Sequence, residues 1–270
     1  MTPVRLARTV ALAVVIGIGL FNLIQAGTHW TLSDAAAYWN AALRLREGAE
    51  PYPVLTNVDA SEVYRYAPWF AWLTVPWTYL PQQVAGALWS AVLLAGSGLA
   101  LVPLVRARAW VAVAFFAPIL VGISAVGNVQ PLIVAPLVWT LERRSGPIWI
   151  GVVASLKVFP LLYALVYLGR GQWARALAAV AVAAALWAPA LLYDLRGYAT
   201  EPGQAASLIS VPILWAVVVG VAIGVTLRLA RSPYGWLAAG TSLVIALPRI
   251  FVYDVTYLMA AVQPTDRHAG

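Results

Sequence analysis

The residues of this sequence most able to do chemistry are charged side chains that interrupt or border long apolar runs. Lys157, Arg249 and Asp254 lie inside or at the edges of such runs, and Asp34 follows directly on the first of them. A charged group at bilayer depth costs at least ~2.5–3.5 kcal/mol, so it is expected to have a partner or a task. Asp34 is therefore a candidate catalytic carboxylate, and the buried cations are candidate partners of a negative charge.

Asp34 also has a purely structural interpretation. Ser33 or Asp34 opens the predicted helix 34–47, where a carboxylate favours the positive end of the helix dipole. Both roles are compatible if Ser33 caps the helix and Asp34 turns inward. Apolar residues recur along this helix at spacings of three and four, at Ala35, Tyr38, Trp39, Ala42 and Leu45. The pattern predicts an amphipathic helix lying on the membrane surface.

The other polar residues in apolar surroundings have competing interpretations as well. Lys157 has roughly ten apolar residues on either side, which makes snorkelling to an interface difficult and favours a functional or ion-paired role. Arg249 and Asp254 are five residues apart around a predicted turn, so they form either a structural ion pair or part of a site. Asn128 and Gln130 flank a turn, and hydrogen bonding to the turn backbone is the favoured interpretation.

Several reaction classes are excluded by residue type. The chain has no Cys and only two His, His29 and His268, so thiol chemistry and a Ser-His-Asp triad are not expected. No Gly-rich phosphate loop of known spacing is present, and we expect no metal and no cofactor. Arg44, Arg46 and Arg65 lie at the predicted outer face or in a turn.

The composition predicts a membrane protein. Of 270 residues, 62% are hydrophobic and 10% are charged, and the chain has 13 Trp and 12 Tyr. The net charge of +7 does not indicate nucleic acid, because ten of the seventeen basic residues form pairs at the ends of apolar runs. These pairs are Arg5/Arg8, Arg106/Arg108, Arg143/Arg144, Arg170/Arg175 and Arg228/Arg231. They mark the cytoplasmic side by the positive-inside rule.

The apolar runs predict an all-α polytopic protein of about eight to ten membrane segments, with a cytoplasmic N-terminus and one domain over residues 1–270. The N-terminal run is interpreted as a retained signal anchor rather than a cleaved signal. The polar stretch 28–66 is extracytoplasmic, and residues 263–270 form a polar tail. The predicted segments are 9–27, 67–80 (interfacial), 82–105, two runs within 110–141, 147–168, 173–193, 208–230, 234–248 and 251–262. Residues 147–168 carry Lys157 and Pro160 at their centre, which predicts bent or re-entrant half-helices.

An ordered series of motifs resembles the GT-C membrane glycosyltransferases, most closely glycosyltransferase family 87, which includes polyprenyl-phosphate-mannose-dependent mannosyltransferases. The series begins with SDAAAYWNAALRLREGAEPYPV and YRYAPWFAWLTVPWTYLP. It continues with VGNVQPLIVAPLVWTLERR and SLKVFPLLYALVYLGRGQW, and it ends with LPRIFVYDVTYLMAAV. The resemblance implies a GT-C-like bundle and inverting transfer of a hexose to a lipid or glycan hydroxyl on the extracytoplasmic face.

The same resemblance implies roles for particular residues. Asp34 matches the catalytic carboxylate of the family's first outer loop, and Lys157, Arg249 and Arg65 are the cations for the lipid phosphate. The implied substrate-binding residues are Tyr38, Arg65, Tyr66, Asn128, Gln130, Lys157, Arg249 and Asp254. Tyr38, Trp39, Tyr64 and Tyr66 offer rings and hydroxyls to a sugar. The chain is short for the family, and its first loop has no second carboxylate close to Asp34.

Two other kinds of function fit the same features. A lipid or small-solute transporter also has broken helices and charges at mid-membrane depth. A degenerate transferase that only binds carrier lipid is the second alternative. The composition, rich in Ala and Arg, suggests a bacterial inner membrane. Replacing Asp34 by Asn discriminates among these functions, since only a transferase loses turnover.

Overall fold

The computed structural model describes residues 3–28, 33–54, 63–198 and 208–262. The described ranges are predominantly helical and contain no strand, which confirms the predicted all-α class. Three helical stretches within those ranges are long and apolar enough to cross a membrane: Gln82–Arg106, Trp173–Leu192 and Pro212–Leu229. The protein is an all-α membrane protein.

The helices follow the predicted apolar runs closely. The α-helices are α1 (Pro3–Thr28), α2 (Ser33–Arg46), α3 (Pro68–Thr74), α4 (Gln82–Arg106), α5 (Trp110–Ala125), α6 (Gln130–Thr140), α7 (Gly146–Leu156), α8 (Ala164–Gly169), α9 (Trp173–Trp187), α10 (Pro212–Leu229) and α11 (Gly235–Ala246). The 3-10 helices are Val75–Tyr79, Phe159–Tyr163, Ala188–Leu192, Leu195–Gly197, Leu208–Ser210 and Val252–Ala261. The predicted tail 263–270, parts of the predicted outer stretch 28–66 (29–32 and 55–62), and residues 199–207 lie outside the described residues.

Proline and glycine set the boundaries that matter for the site. Pro68, Pro131 and Pro147 stand in the first turns of α3, α6 and α7, where a missing backbone N–H has no helical partner to lose. The predicted break in 147–168 is confirmed, because Lys157 is extended (φ −138°, ψ 120°) and Pro160 then continues a 3-10 turn. Lys157 therefore stands at the end of α7, in a gap between helices.

The structure differs from expectation in what covers α2. The helix itself is confirmed, but its apolar face packs on the segment 68–79 of the same chain rather than lying bare on a membrane. Tyr38, Ala42 and Leu45 on that face are buried. Arg46 fixes the contact by donating to the carbonyl of Thr78 at 2.7 Å. The amphipathic pattern shows only that the face is apolar, and here protein takes the place of lipid.

One end of the bundle collects the basic pairs that the sequence placed on the cytoplasmic side. Arg170 pairs with Glu142 at 2.8 Å and donates to the carbonyl of Ala230 at 2.7 Å, between Arg228 and Arg231. This joins the loop after α6 to the ends of α8 and α10.

The remaining basic pairs are linked to that end by aromatic and backbone contacts. Arg175 donates to the carbonyl of Arg143 at 2.5 Å. Arg106 and Arg143 lie 5.2 and 6.0 Å from the ring of Trp139, and Arg8 lies 5.7 Å from the ring of Trp110. All five basic pairs therefore gather at one end, which we call the basic end. Because α6 has 11 residues, Gln130 at its start is about 16 Å along the helix from this end.

Candidate functional site

The first residues of α2 pack against the turn between α5 and α6. The Asp34 N–H donates to the Val126 carbonyl at 2.9 Å. Gly127 follows in the left-handed region (φ +79°), and a Cβ there would stand 2.6 Å from the Cβ of Ala35. Trp89 donates through Nε1 to the Gly127 carbonyl at 2.8 Å. The close approach of the two backbones at glycine brings Asp34 beside Asn128.

Asn128 donates through Nδ2 to Oδ2 of Asp34 at 2.5 Å. Its own Oδ1 accepts the Gln130 backbone N–H at 2.8 Å. A backbone N–H can only donate, so this second bond fixes which end of the Asn128 amide faces Asp34. Asn128 is buried, whereas Asp34 is partly exposed. The carboxylate thus has one oxygen held by protein while the group remains accessible.

Gln130 carries the connection from the turn to Lys157. It is fully buried, its Oε1 accepts from Nζ of Lys157 at 3.0 Å, and its Nε2 donates to Oγ1 of Thr256 at 3.1 Å. An ammonium group can only donate, so its contact fixes the orientation of the Gln130 amide. The resulting chain from Asp34 through Asn128 and Gln130 to Lys157 is called the polar relay below.

The 3-10 helix Val252–Ala261 and the residues before it close the relay on the Lys157 side. Lys157 Nζ lies 4.6 Å from the ring centroid of Tyr253, and Tyr253 stacks on Phe251 at 5.2 Å with an interplanar angle of 9°. Arg249 lies 5.3 Å from the Phe251 ring. Asp254 accepts the Phe251 N–H at 2.8 Å and, with Asp34, acts electrostatically on Lys157. Two stacked rings and a second cation, Arg249, therefore adjoin the relay.

Two tyrosines, Tyr38 and Tyr66, also lie beside Asp34. The hydroxyls of Tyr38 and Tyr66 are 3.0 Å apart, and the Val129 N–H donates to the Tyr38 hydroxyl at 3.4 Å. Burial is the main cause that raises the pKa of both phenols well above the ordinary value, and the charge of Asp34 adds to it. Both stay protonated at neutral pH and can donate hydrogen bonds.

The tyrosine rings themselves are packed against protein. Tyr38 and Tyr66 meet edge to face with ring centroids 5.0 Å apart, and the rings of Tyr64 and Tyr66 are tilted with centroids 5.7 Å apart. None of the three is more than 9% exposed. Their faces are therefore covered by protein, which does not favour the expectation that they stack on a sugar, whereas the hydroxyls of Tyr38 and Tyr66 remain next to Asp34.

The structure brings most of the predicted site residues into one place. The relay and its immediate neighbours include Asp34, Tyr38, Tyr66, Asn128, Gln130, Lys157 and Asp254. Arg249 lies next to this group over Phe251, and Arg65 acts electrostatically on Tyr66 and Tyr198.

Some interpretations from sequence change with the structure. Asn128 does bind turn backbone, as the favoured interpretation held, but its amide also reaches Asp34. Asp254 binds the backbone at Phe251 in a helix-capping arrangement. Sequence reasoning missed Tyr253 and Thr256, although both are neighbours of Asp254, the residue it had singled out. Among the described residues, no cluster of three His, Cys, Asp or Glu side chains could hold a metal ion.

These features define a membrane protein with a carboxylate–amide–ammonium relay at the end of the bundle opposite its basic pairs. No protein-family model and no solved structure match the chain. GPI mannosyltransferase 1 of Aspergillus fumigatus is 29% identical over 173 residues, covering 56% of this chain and 38% of the relative. The chain thus spans well under half the length of this curated relative. Membership of glycosyltransferase family 87 stays a prediction.

Proposed function

We propose that this protein is an inverting, metal-independent glycosyltransferase. It moves a hexose, with mannose the first candidate, from a polyprenyl-phosphate-linked donor to a hydroxyl of a lipid or glycan acceptor. The observation that carries the proposal is the polar relay, which connects the accessible carboxylate of Asp34 to the ammonium group of Lys157 through two oriented amides. The distant similarity to a mannosyltransferase adds independent support.

The base in this reaction is Asp34. The acceptor O–H bond breaks as its proton passes to the carboxylate, and the hydroxyl oxygen bonds to the anomeric carbon. The bond between that carbon and the phosphate oxygen breaks on the opposite face, which inverts the configuration. Asn128 holds Oδ2 of Asp34 at 2.5 Å. The other carboxylate oxygen can therefore face the acceptor with the group already oriented.

The cations serve the leaving group. A sugar–phosphate–lipid diester carries one negative charge, and the departing polyprenyl phosphate gains a second as the bond breaks. Fixed positive charges stabilise that developing charge without a general acid. Lys157 is held in place by Gln130 and lies over Tyr253, with Arg249 two aromatic rings away. Arg65 is a further cation on the Tyr66 side.

The position of the relay supports an extracytoplasmic active site. All five basic pairs lie at the basic end, whereas Asp34 and Gln130 lie at the other end of α6. The positive-inside rule puts the basic end in the cytoplasm. The relay then faces outward from a bacterial inner membrane.

The decisive experiment is transfer by purified protein in lipid from radiolabelled polyprenyl-phosphate-mannose to a crude lipid-acceptor extract. The wild type should move label to a new lipid, Asp34→Asn should not, and both should retain donor binding. Asp194→Asn is the matched control, because Asp194 pairs with exposed Arg196 rather than with a relay residue. Equal transfer by wild type and Asp34→Asn rejects Asp34 as the base. Donor binding without transfer by either protein favours the carrier-lipid binder, and label crossing the bilayer unchanged favours the transporter.

A further inference from the structure

A groove of about 570 Å³ opens at the basic end, far from the relay, where α4 turns into α5. It is lined by Arg108, Ala109, Trp110, Val111, Ala112 and Phe115. Its volume lies within the range of about 300–1,000 Å³ typical of small-molecule sites. The groove is therefore large enough to take part of a lipid-sized ligand.

One guanidinium group lines the groove, and a second lies beside one of its lining residues. Arg108 lines it directly, and Arg8 of α1 lies 5.7 Å from the ring centroid of Trp110, another lining residue. Planar guanidinium groups present paired N–H donors that match phosphate oxygens. The mouth of the groove thus has the donors that an anionic headgroup needs.

The wall below these arginines is apolar and open. Val111 is 84% exposed and Phe115 is 55% exposed. They are four residues apart on α5, so they share one side of the helix. An acyl chain lying along this strip would cover apolar surface that the described part of the chain leaves bare.

The charge balance at the basic end favours the binding of an anion. Ten arginines gather there, and Glu142 is the acid that the structure describes among them. Glu142 is already engaged by Arg170 at 2.8 Å and by Trp236 at 2.5 Å. The positive field at the groove is therefore not neutralised by that carboxylate.

The backbone conformation at Arg108 is a further reason to assign a role to its side chain. Arg108 is the non-glycine residue with positive φ in the described ranges, at +55°. This region is strained for residues that have a Cβ, and glycine would relieve the strain. A long cation held at such a position suggests that its side chain has a use.

We propose that this groove binds an anionic membrane phospholipid. The headgroup phosphate lies between Arg108 and Arg8, and one acyl chain follows the strip of Val111 and Phe115. The site is separate from the polar relay and does not depend on the proposed transferase activity. It would anchor the turn between α4 and α5 to the anionic leaflet on the side of the basic pairs.

Native mass spectrometry of the purified full chain, titrated with phosphatidylglycerol or phosphatidylcholine, tests the proposal. Wild type should bind the first phosphatidylglycerol more tightly than phosphatidylcholine, and Arg108→Gln should lower that preference about fivefold, the loss of about one guanidinium contact. Arg231→Gln is the matched control, because Arg231 is an exposed arginine at the same end that does not line the groove. It should leave the preference unchanged.

A second variant separates lost binding from misfolding. Arg108→Gly removes the charge but relieves the positive φ, so the fold should be kept while the preference falls as in Arg108→Gln. Arg108→Lys should retain part of the preference. Equal binding of the two lipids by wild type overturns the proposal, as does an equal loss in Arg108→Gln and Arg231→Gln. Competition by soluble glycerol phosphate as effective as that by phosphatidylglycerol also overturns it, since it would show a site for free phosphate rather than lipid.

Discussion

Asn128 and Asp34 are 94 residues apart in sequence, yet the amide of Asn128 donates to the carboxylate of Asp34 at 2.5 Å. The contact joins α2 to the turn between α5 and α6, and from there the relay continues to Lys157. A hydrogen bond to a charged group contributes about 1.5–3 kcal/mol, roughly twice a neutral one. Asn128 is therefore the residue through which the fold orients the proposed base.

Removing that amide should slow turnover while leaving donor binding nearly intact. We expect Asn128→Ala to lower kcat about 10- to 100-fold, since the orienting bond to Asp34 is lost. The KM for the donor should change little, because Asn128 is not one of the proposed phosphate contacts. Steady-state transfer measures both constants. Asn40→Ala, a half-buried asparagine on α2, is the control, and an equal effect in both variants would count against an orienting role.

Lys157 is predicted to act on the leaving phosphate. Lys157→Met keeps much of the stem but removes the charge, and transfer should fall about 100- to 1,000-fold, as when one preorganised donor is lost. Lys157→Arg should recover part of the rate, since the positive charge returns with a different shape. Melting temperatures of both variants check that the fold is retained. A methionine variant within twofold of wild type would remove Lys157 from the mechanism.

Tyr253 is predicted to hold the Lys157 ammonium through its ring. The separation of 4.6 Å is within the range of a cation–π contact, which contributes about 0.5–2 kcal/mol. Tyr253→Leu should therefore lower transfer several-fold, whereas Tyr253→Phe, which keeps the aromatic face, should stay close to wild type. The KM for the donor should rise in the leucine variant. Equal losses in both variants would assign the effect to the hydroxyl instead.

The helices could be predicted from sequence because their signals are local. Apolar runs and a lysine–proline interruption place α4, α6, α7 and the break at Lys157 within a few residues of their observed positions. The cover over α2 could not be predicted, because an apolar stripe does not show whether lipid or protein lies against it. The 3-10 form of Val252–Ala261 has no distinctive periodicity either.

From residue type and position, the candidate site stands out mainly where burial makes a charge costly, whereas Tyr38, Tyr66, Asn128 and Gln130 are implied by the family resemblance. Lys157 and Asp254 stand out because a charge in an apolar run needs a reason. Thr256 and Tyr253 carry no charge and are ordinary in such a run, so their roles follow only from contacts across the fold. Thr256, for example, accepts from Gln130, which is 126 residues away in sequence.

Glu142 should make stability at the basic end dependent on acid pH. Burial pushes the pKa of Glu142 upward, but hydrogen bonds from Arg170 and Trp236 outweigh burial and lower it below its ordinary value of 4.5. A carboxylate with a lowered pKa stabilises the fold above about pH 4.5 and loses that effect as the pH falls through the folded-state pKa. The Glu142 side chain is 46% exposed, so screening limits the effect to about 1 kcal/mol or less.

Melting curves of Glu142→Gln and wild type between pH 3 and pH 8 measure this effect. The variant should melt lower at neutral pH, and the two curves should converge at the acid end. Asp194→Asn breaks an ion pair whose Arg196 side chain is 84% exposed and should not shift the melting temperature. A gap between wild type and Glu142→Gln that persists unchanged at acid pH would assign the effect to packing rather than to charge.

Gly127 is predicted to be essential for the close backbone approach that positions Asp34, and Gly48 provides a matched comparison. Both have positive φ, +79° and +76°, but a Cβ at Gly127 meets Ala35 at 2.6 Å, whereas a Cβ at Gly48 meets nothing within 4 Å. Gly48→Ala should cost only backbone strain, ~1–2 kcal/mol. Gly127→Ala adds overpacking and should cost about 2–5 kcal/mol in total. It should also separate Asp34 from Asn128 and lower transfer, so similar melting temperatures and rates for the two variants would show that this close approach does not position the base.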